Sequence, residues 1–247
     1  ISLGIPGIVD GSQGVVYQSP HFPDWDQLEV LSYFRQRFSC PVMMDNDANL
    51  IALGELWKGA GQGLESFLLL TLGTGLGGAI IINKQLFRGD SGFAGEFGHM
   101  VIEQNGFHCH CGSRGCLEMY VSATGIKELI LHSEDSGKEA FLKKAGQDLD
   151  HLTIERVHQL TLEGDIFGHA LFRTMGHALG VGIASLVNVL GTFHVLIGGG
   201  ISAASDFFLP TAEKEISSRS YRETARRVKI LKCRLGDNAG LIGGASR

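Results

Sequence analysis

The 247-residue sequence predicts an α/β protein whose layers enclose a cleft, and three observations carry that expectation. Apolar, strand-like runs such as 66–72 and 193–198 alternate with segments whose apolar residues recur at helical spacing. Two of those runs end in glycine clusters, "LGTGLGG" at 72–78 and "IGGG" at 197–200, where backbone can approach a ligand closely. Between them, "GHMVIEQNGFHCHCGSRGCLEMY" at 98–120 gathers histidines, cysteines and carboxylates in a stretch with no strong core pattern. Alternating strands and helices with ligand-facing turns at strand ends are the pattern of layered α/β architecture.

The elements follow in order. "ISLGIPGIVDG" opens the chain as an apolar strand-like run. Trp25, Leu28, Leu31, Phe34 and Phe38 then recur at helical spacing behind Asp24 or Asp26 as a cap, and Pro41 ends this predicted helix. "PVMMD" reads as a short buried strand, and Asn46 and Asp47 sit on the turn into a helix carrying Leu50, Ile51, Leu53 and Trp57. "GAGQG", 59–63, is a loop. Gly73, Gly75 and Gly78 spell a literal G-x-G-x-x-G, but a dinucleotide fold needs those glycines to open a helix, whereas "AIII" continues as strand. The result is a hairpin. It can cradle phosphate through backbone N–H groups and Thr74, or be a tight turn with no ligand. Residues 168–190 form a long apolar-faced helix running into "TFHVLIGGGIS", a buried strand that ends in Gly198, Gly199 and Gly200 before another helix. "NAGLIGGASR" stops as a helix begins, which, with the abrupt opening, gives the expectation of a fragment.

Composition narrows the function classes. The chain is 44% hydrophobic and 19% charged with a net charge of −5, which gives no electrostatic footprint for nucleic acid or an anionic membrane. The longest apolar stretches, such as 179–187, fall far short of a membrane span, and a cytoplasmic location is expected. Five cysteines with three clustered do not form a secreted disulfide framework, and Cys40 and Cys233 are expected to be buried apolar fillers.

His99, Cys109, Cys111 and Cys116 supply one nitrogen and three thiolates, the soft set that closes a tetrahedron around Zn²⁺. Four protein ligands leave no open position, so the metal is expected to be structural and to pin a loop that Gly112 and Gly115 let wrap tightly. His108 and His110 are competing ligands, and three reduced cysteines on a surface loop are the plain alternative. A nucleic-acid-binding zinc ribbon is disfavoured by charge and by the lack of basic residues beside the cluster.

"DNDAN" (45–49), "LGTGLGG" (72–78), "GEFGHM" (95–100), "CHCGSRGCLE" (109–118) and "IGGG" (197–200) together resemble the ROK family of repressors, open reading frames and kinases, over essentially the whole chain. The resemblance implies the two-domain actin-like ATPase fold of hexokinase and Hsp70, with an interdomain cleft and a zinc-pinned loop. It implies residues 1–50 as the remainder of a small N-terminal domain, 51–238 as a large domain with the zinc loop and dimerisation helices, and 239–247 as the return to the small domain. In this family's kinases a sugar binds between the domains and ATP, with Mg²⁺, phosphorylates it. Matched position by position, Asp47 is the general base, although an isolated Asp47 would read as a helix N-cap. Asn46 hydrogen-bonds a neighbouring hydroxyl, and Glu96, His99 and Glu118 hold hydroxyls across the ring. One nitrogen of His99 serves zinc and the other the sugar. Gly73, Thr74 and Gly75 match a phosphate loop, Gly198, Gly199 and Gly200 the adenosine region, and Gly4 and Gly7 the loop over the sugar. A hexose or N-acetylhexosamine is the implied substrate, glucose first because nine residues separate His99 from Cys109, with the 6-hydroxyl as acceptor, and a homodimer is the implied assembly. The family's Asp-Gly-Gly-Thr strand, which helps position Mg²⁺ and phosphates, does not occur in this sequence. The alternative that the resemblance admits is the sugar-sensing domain of a ROK repressor whose DNA-binding part lies outside this chain.

Overall fold

The computed structural model describes residues 1–19, 22, 24–146 and 148–247. β1 (Ser2–Ile5) leads into an antiparallel meander of β2 (Ile8–Asp10), β3 (Val15–Gln18) and β4 (Asp26–Glu29). After α1 (Val30–Arg35), β5 (Met43–Asn46) returns to pair in parallel with β1, Ser2 opposite Met43 and Ile5 opposite Asn46. These two small sheets share a core of Ile5, Val9, Val16, Leu31, Val42 and Met44.

Here one expectation fails. The apolar residues of 25–38 do not lie on one helix: Leu28 is on β4, paired with Val16 of β3, and the helix occupies only 30–35. Val15 and Val16 offer a strand edge that captures residues 26–29, and Gln27 sits at φ 51°, outside helical space. Neither Asp24 nor Asp26 caps the helix; its N-cap is Glu29, without a side-chain bond. Cys40 is likewise exposed and Cys233 half-buried, so neither is a fully buried filler.

α2 (Asp47–Lys58) crosses to the second half of the molecule, where β6 (Phe67–Leu72), β7 (Leu76–Ile82) and β8 (Gln85–Phe87) form the expected hairpin and a further strand. The loop carrying His99 and the three clustered cysteines follows, then α3 (Glu118–Val121), α4 (Ala123–Leu131), α5 (Gly137–Ala145), α6 (Ile154–Leu162) and α7 (Ile166–Leu190). β9 (His194–Gly198), α8 (Ser205–Arg219), α9 (Arg222–Arg227), β10 (Lys229–Lys232) and α10 (Ala239–Ala245) complete the chain. The five-stranded sheet has the order β10-β9-β6-β7-β8, parallel through β10, β9 and β6 and antiparallel beyond. Side-chain alternation explains the continuous apolar run of β6. Leu68, Leu70 and Leu72 point into the main core with α4 and α7, while Phe67 and Leu69 pack on the other face with Ala52 of α2.

α7 is long and apolar enough to cross a bilayer by length and composition, but two thirds of its most apolar window is buried in this core (67%). Asp165 caps its start and Gly191, at φ 63°, its end. α10 is a formed helix packed on α2 through glycine, because a Cβ at Gly243 would lie 1.7 Å from Leu50 O and one at Gly54 2.1 Å from Ala239 O.

Candidate active site

The site is built where β5 becomes α2. Asn46 caps the helix, its Oδ1 accepting from Ala48 N at 2.8 Å and Asn49 N at 3.3 Å, while its Nδ2 donates to Gly7 O at 3.1 Å. The cap is therefore Asn46 and not Asp47. Asp47 is the first helical residue, exposed beside the positive helix end, with Oδ1 accepting from Ala48 N at 2.9 Å. Gly7 holds φ 107°, and a Cβ there would stand 2.2 Å from Gln18 O, so the loop it forms is tied to both β3 and Asn46.

Behind this turn Asp45 is 4% exposed, accepting from Asn49 Nδ2 at 2.7 Å and ion-paired with Arg88 at 2.6 Å and with Arg247. Arg88 begins the loop 88–96, at whose far end stands Glu96. Burial raises the Glu96 pKa to about 7, and the negative charges of Asp47 and Glu118 push it the same way. Its side chain nevertheless remains 39% exposed. Carboxyls from α2 and from the start of α3 thus act on the one from the 88–96 loop, an arrangement that a polyhydroxylated ligand could bridge.

The residues predicted to hold metal come together. The ligand atoms of His99, Cys109, Cys111 and Cys116 all lie within 4.8 Å of one another. Cys111 Sγ is 3.7 Å from Cys116 Sγ, and Cys109 Sγ is 3.6 Å from His99 Nδ1. Those separations match the edges of a tetrahedron built on bonds of about 2.3 Å to sulfur and about 2.0 Å to nitrogen. Burial pushes the Cys116 thiol up to about 12, with the neighbouring thiols adding to it, so holding all three cysteines as thiolates at this place requires a cation. His108 is engaged with Arg114 instead, and His110 is exposed. With Nδ1 of His99 toward sulfur, Nε2 lies 3.9 Å from Glu96 Oε2, on the carboxyl side. The loop does have a small core of its own, since Cys109, Cys116 and Met119 are buried with Phe107 and Tyr120 packed against them.

The glycine hairpin borders a separate cleft of about 550 Å³, lined by Gly73, Thr74, Thr124, Lys127, Gly200 and Ile201 among others. Gly75 turns toward Glu118, whose Oε2 accepts from Leu76 N at 2.8 Å. Gly198 is buried at the end of β9 opposite Thr71, and Gly199 has φ 81° with its Cβ position 2.2 Å from Leu72 O. These two shape the backbone beside the cleft, and Gly200 lines it.

Sequence reasoning missed Asp45 with Arg88, the Glu118 bond to Leu76, and Thr124, whose Oγ1 donates to Thr74 O at 3.1 Å. A carboxylate ending an apolar strand was a usable signal for Asp45. The other two contacts span 42 and 50 residues and leave no local trace.

The ROK family profile matches residues 1–246. A glucokinase of Halalkalibacterium halodurans is 36% identical over 245 residues, 99% of this chain and 74% of that protein. A xylose repressor of Caldicellulosiruptor bescii is 34% identical over 243 residues, 98% of this chain and 60% of that protein. Among solved structures, a ROK family glucokinase from Streptomyces griseus in complex with glucose and AMPPNP superposes with a TM-score of 0.84 at 31% identity, covering 98% of this chain and 78% of that one.

Proposed function

This chain belongs to the ROK family, and on that premise we propose that it transfers phosphate from MgATP to a hexose, glucose first and an N-acetylhexosamine second, at the 6-hydroxyl. Its fold is the actin-like ATPase fold and its activity class is ATP-dependent sugar kinase. On this reading residues 1–50 and 239–247 belong to the small domain and 51–238 to the large one, and the enzyme works as a cytoplasmic homodimer.

The observation that carries the reading is the trio of Asp47, Glu96 and Glu118, with a glycine-lined cleft on the far side of the hairpin. A sugar hydroxyl is a poor nucleophile at neutral pH, and a loose phosphoryl-transfer transition state needs alignment more than covalent help. Asp47, held at the positive start of α2, takes the hydroxyl proton as the oxygen attacks the γ-phosphorus. Glu96, Glu118 and His99 Nε2 hold the other hydroxyls, while Asn46 holds the Gly7 loop and the start of α2 in place through the bonds given above. Gly73, Thr74 and Gly200 receive the nucleotide, with backbone N–H groups turned to phosphate. The metal site fits Zn²⁺, which on binding supplies charge neutralisation to three thiolates and fixes the His99 ring.

A coupled ADP-release assay over glucose, mannose, allose, fructose, N-acetylglucosamine and N-acetylmannosamine tests this, with thermal shift on the same sugars. Turnover with glucose supports the assignment, and turnover only with an amino sugar moves the substrate choice. The xylose repressor relatives favour a second reading, a sugar-sensing domain. Sugar-dependent stabilisation with no ADP release by the full-length protein would favour that reading over the kinase.

A further inference from the structure

We propose that Glu118 is a positioning residue for the glycine hairpin, so that filling the His99–Cys109–Cys111–Cys116 site and binding a nucleoside triphosphate are thermodynamically coupled. The inference rests on the reading of the hairpin-lined cleft as the nucleotide site.

One short segment touches both places. Cys116 is fully buried, bridged to Val101, and Leu117 N donates to Met100 O at 2.8 Å, which locks this end onto the backbone beside His99. Two residues beyond Cys116, Glu118 Oε2 accepts from Leu76 N at 2.8 Å. Ala123 N then donates to Gly73 O at 2.9 Å, and Thr124 Oγ1 to Thr74 O at 3.1 Å. Residues 116–124 therefore grip the hairpin at Gly73, Thr74 and Leu76.

The tip depends on that grip. Strand pairing ends at Leu72 opposite Leu76, and within the turn Gly73 N donates to Gly75 O at 3.0 Å. The fit is close on both sides. A Cβ at Gly75 would stand 2.5 Å from Glu118 Oε2, and one at Gly98, next to His99, 2.7 Å from Leu76 O. Loosening the loop at Cys116 or His99 thus frees the same backbone that lines the cleft. Linkage makes the effect reciprocal, so that nucleotide binding tightens metal retention by the same factor.

The test is calorimetric titration of the full chain with the magnesium complex of AMPPNP, without sugar, in zinc-loaded and chelator-stripped protein. Stripping should weaken the analogue by about tenfold, within the range of ordinary allosteric couplings. Glu118→Ala in the loaded protein should weaken it to a similar degree, and stripping that variant should add little. Glu118→Gln keeps a side-chain oxygen that can accept from Leu76 N, so it should retain analogue affinity while losing hexose affinity. If stripped protein unfolds, the contrast between Glu118→Ala and Glu118→Gln in loaded protein decides. Equal analogue affinity in loaded and stripped wild type, or in Glu118→Ala and wild type, overturns the coupling and leaves the kinase reading standing. Loaded wild type that binds hexose but no analogue overturns the nucleotide reading and the inference with it.

Discussion

Glu55 offers the sharpest test of how α2 is tied to the rest of the molecule. It is 0% exposed, and its carboxyl oxygens accept from Ala60 N at 2.6 Å, Leu235 N at 2.9 Å and Arg234 N at 3.0 and 3.2 Å. One side chain on α2 thereby closes the helix end and holds the turn after β10. Glu55→Ala strips the acceptor from three backbone donors. At about 1–3 kcal/mol for each buried donor left unmet, and with water reaching the exposed Arg234 end, the loss should be about 3–5 kcal/mol. That is a large share of an ordinary domain's stability of about 5–15 kcal/mol. Glu55→Gln keeps one oxygen for the Arg234–Leu235 turn and points an amide donor at Ala60 N, so its cost should be about 1–3 kcal/mol. Urea unfolding gives both numbers, and amide exchange at Arg234 and Leu235 should quicken in step. Glu55→Ala within about 1 kcal/mol of wild type, at unchanged m-value, would refute the reasoning.

Other outcomes follow from the same geometry. Asp47→Asn should lower kcat at least about a hundredfold while hexose affinity changes much less, because the amide still hydrogen-bonds; near-normal kcat would remove Asp47 as base. Glu96→Gln should raise KM for the sugar more than it lowers kcat, since this group holds the ring in ground and transition states alike, and steady-state kinetics separates the two. Elemental analysis should find one zinc per chain, and chelation should lower both melting temperature and hexose affinity; a disulfide among Cys109, Cys111 and Cys116 would reject the site. Burial alone would raise the Asp165 pKa, but Lys144 at 2.7 Å and the N–H groups of Gly168 and Phe167 outweigh it and hold the carboxyl below its usual range. Its contribution is therefore complete above the unfolded value near 3.9 and is lost as pH falls through the folded one, so Asp165→Asn should cost about 1 kcal/mol near neutrality and flatten the acid limb of the stability profile.

Much of the second half was legible because its signals are local. The hairpin announces itself by glycines between a leucine-rich run and an isoleucine run, and the metal cluster by four ligands within eighteen residues. β5 and α2 were readable from an apolar run followed by Asn and Asp, although which of the two caps the helix depended on backbone angles at Asn46. Residues 25–38 were misread because helical spacing of apolar residues is also met by a strand followed by a short helix once a partner edge at Val15 and Val16 is present. The grip of Glu118 on Leu76 and of Arg88 on Asp45 joins residues 42 and 43 apart, and no window along the chain contains both ends.

The loop 88–96 leaves β8 of the five-stranded sheet, reaches across to the two small sheets and comes back to β7. Arg88 is bound to Asp45 of β5, Phe93 meets Tyr17 of β3 edge-on at 5.4 Å, and the Gly92 Cβ position is 3.3 Å from Val9 O of β2. At the other end Gly95 lies against β7, its Cβ position 2.7 Å from Gly78 O. Any swing of the two small sheets against the five-stranded sheet must then be taken up in the short links between Phe87 and Arg88 and between Phe93 and Gly95, or else break the ion pair and the ring contact. A hinge so short allows rotation but little translation. Opening the cleft would turn the Glu96 carboxyl about a nearby pivot while Asp45 travels with β5, and the distance between the two would report directly on how far the jaws have parted.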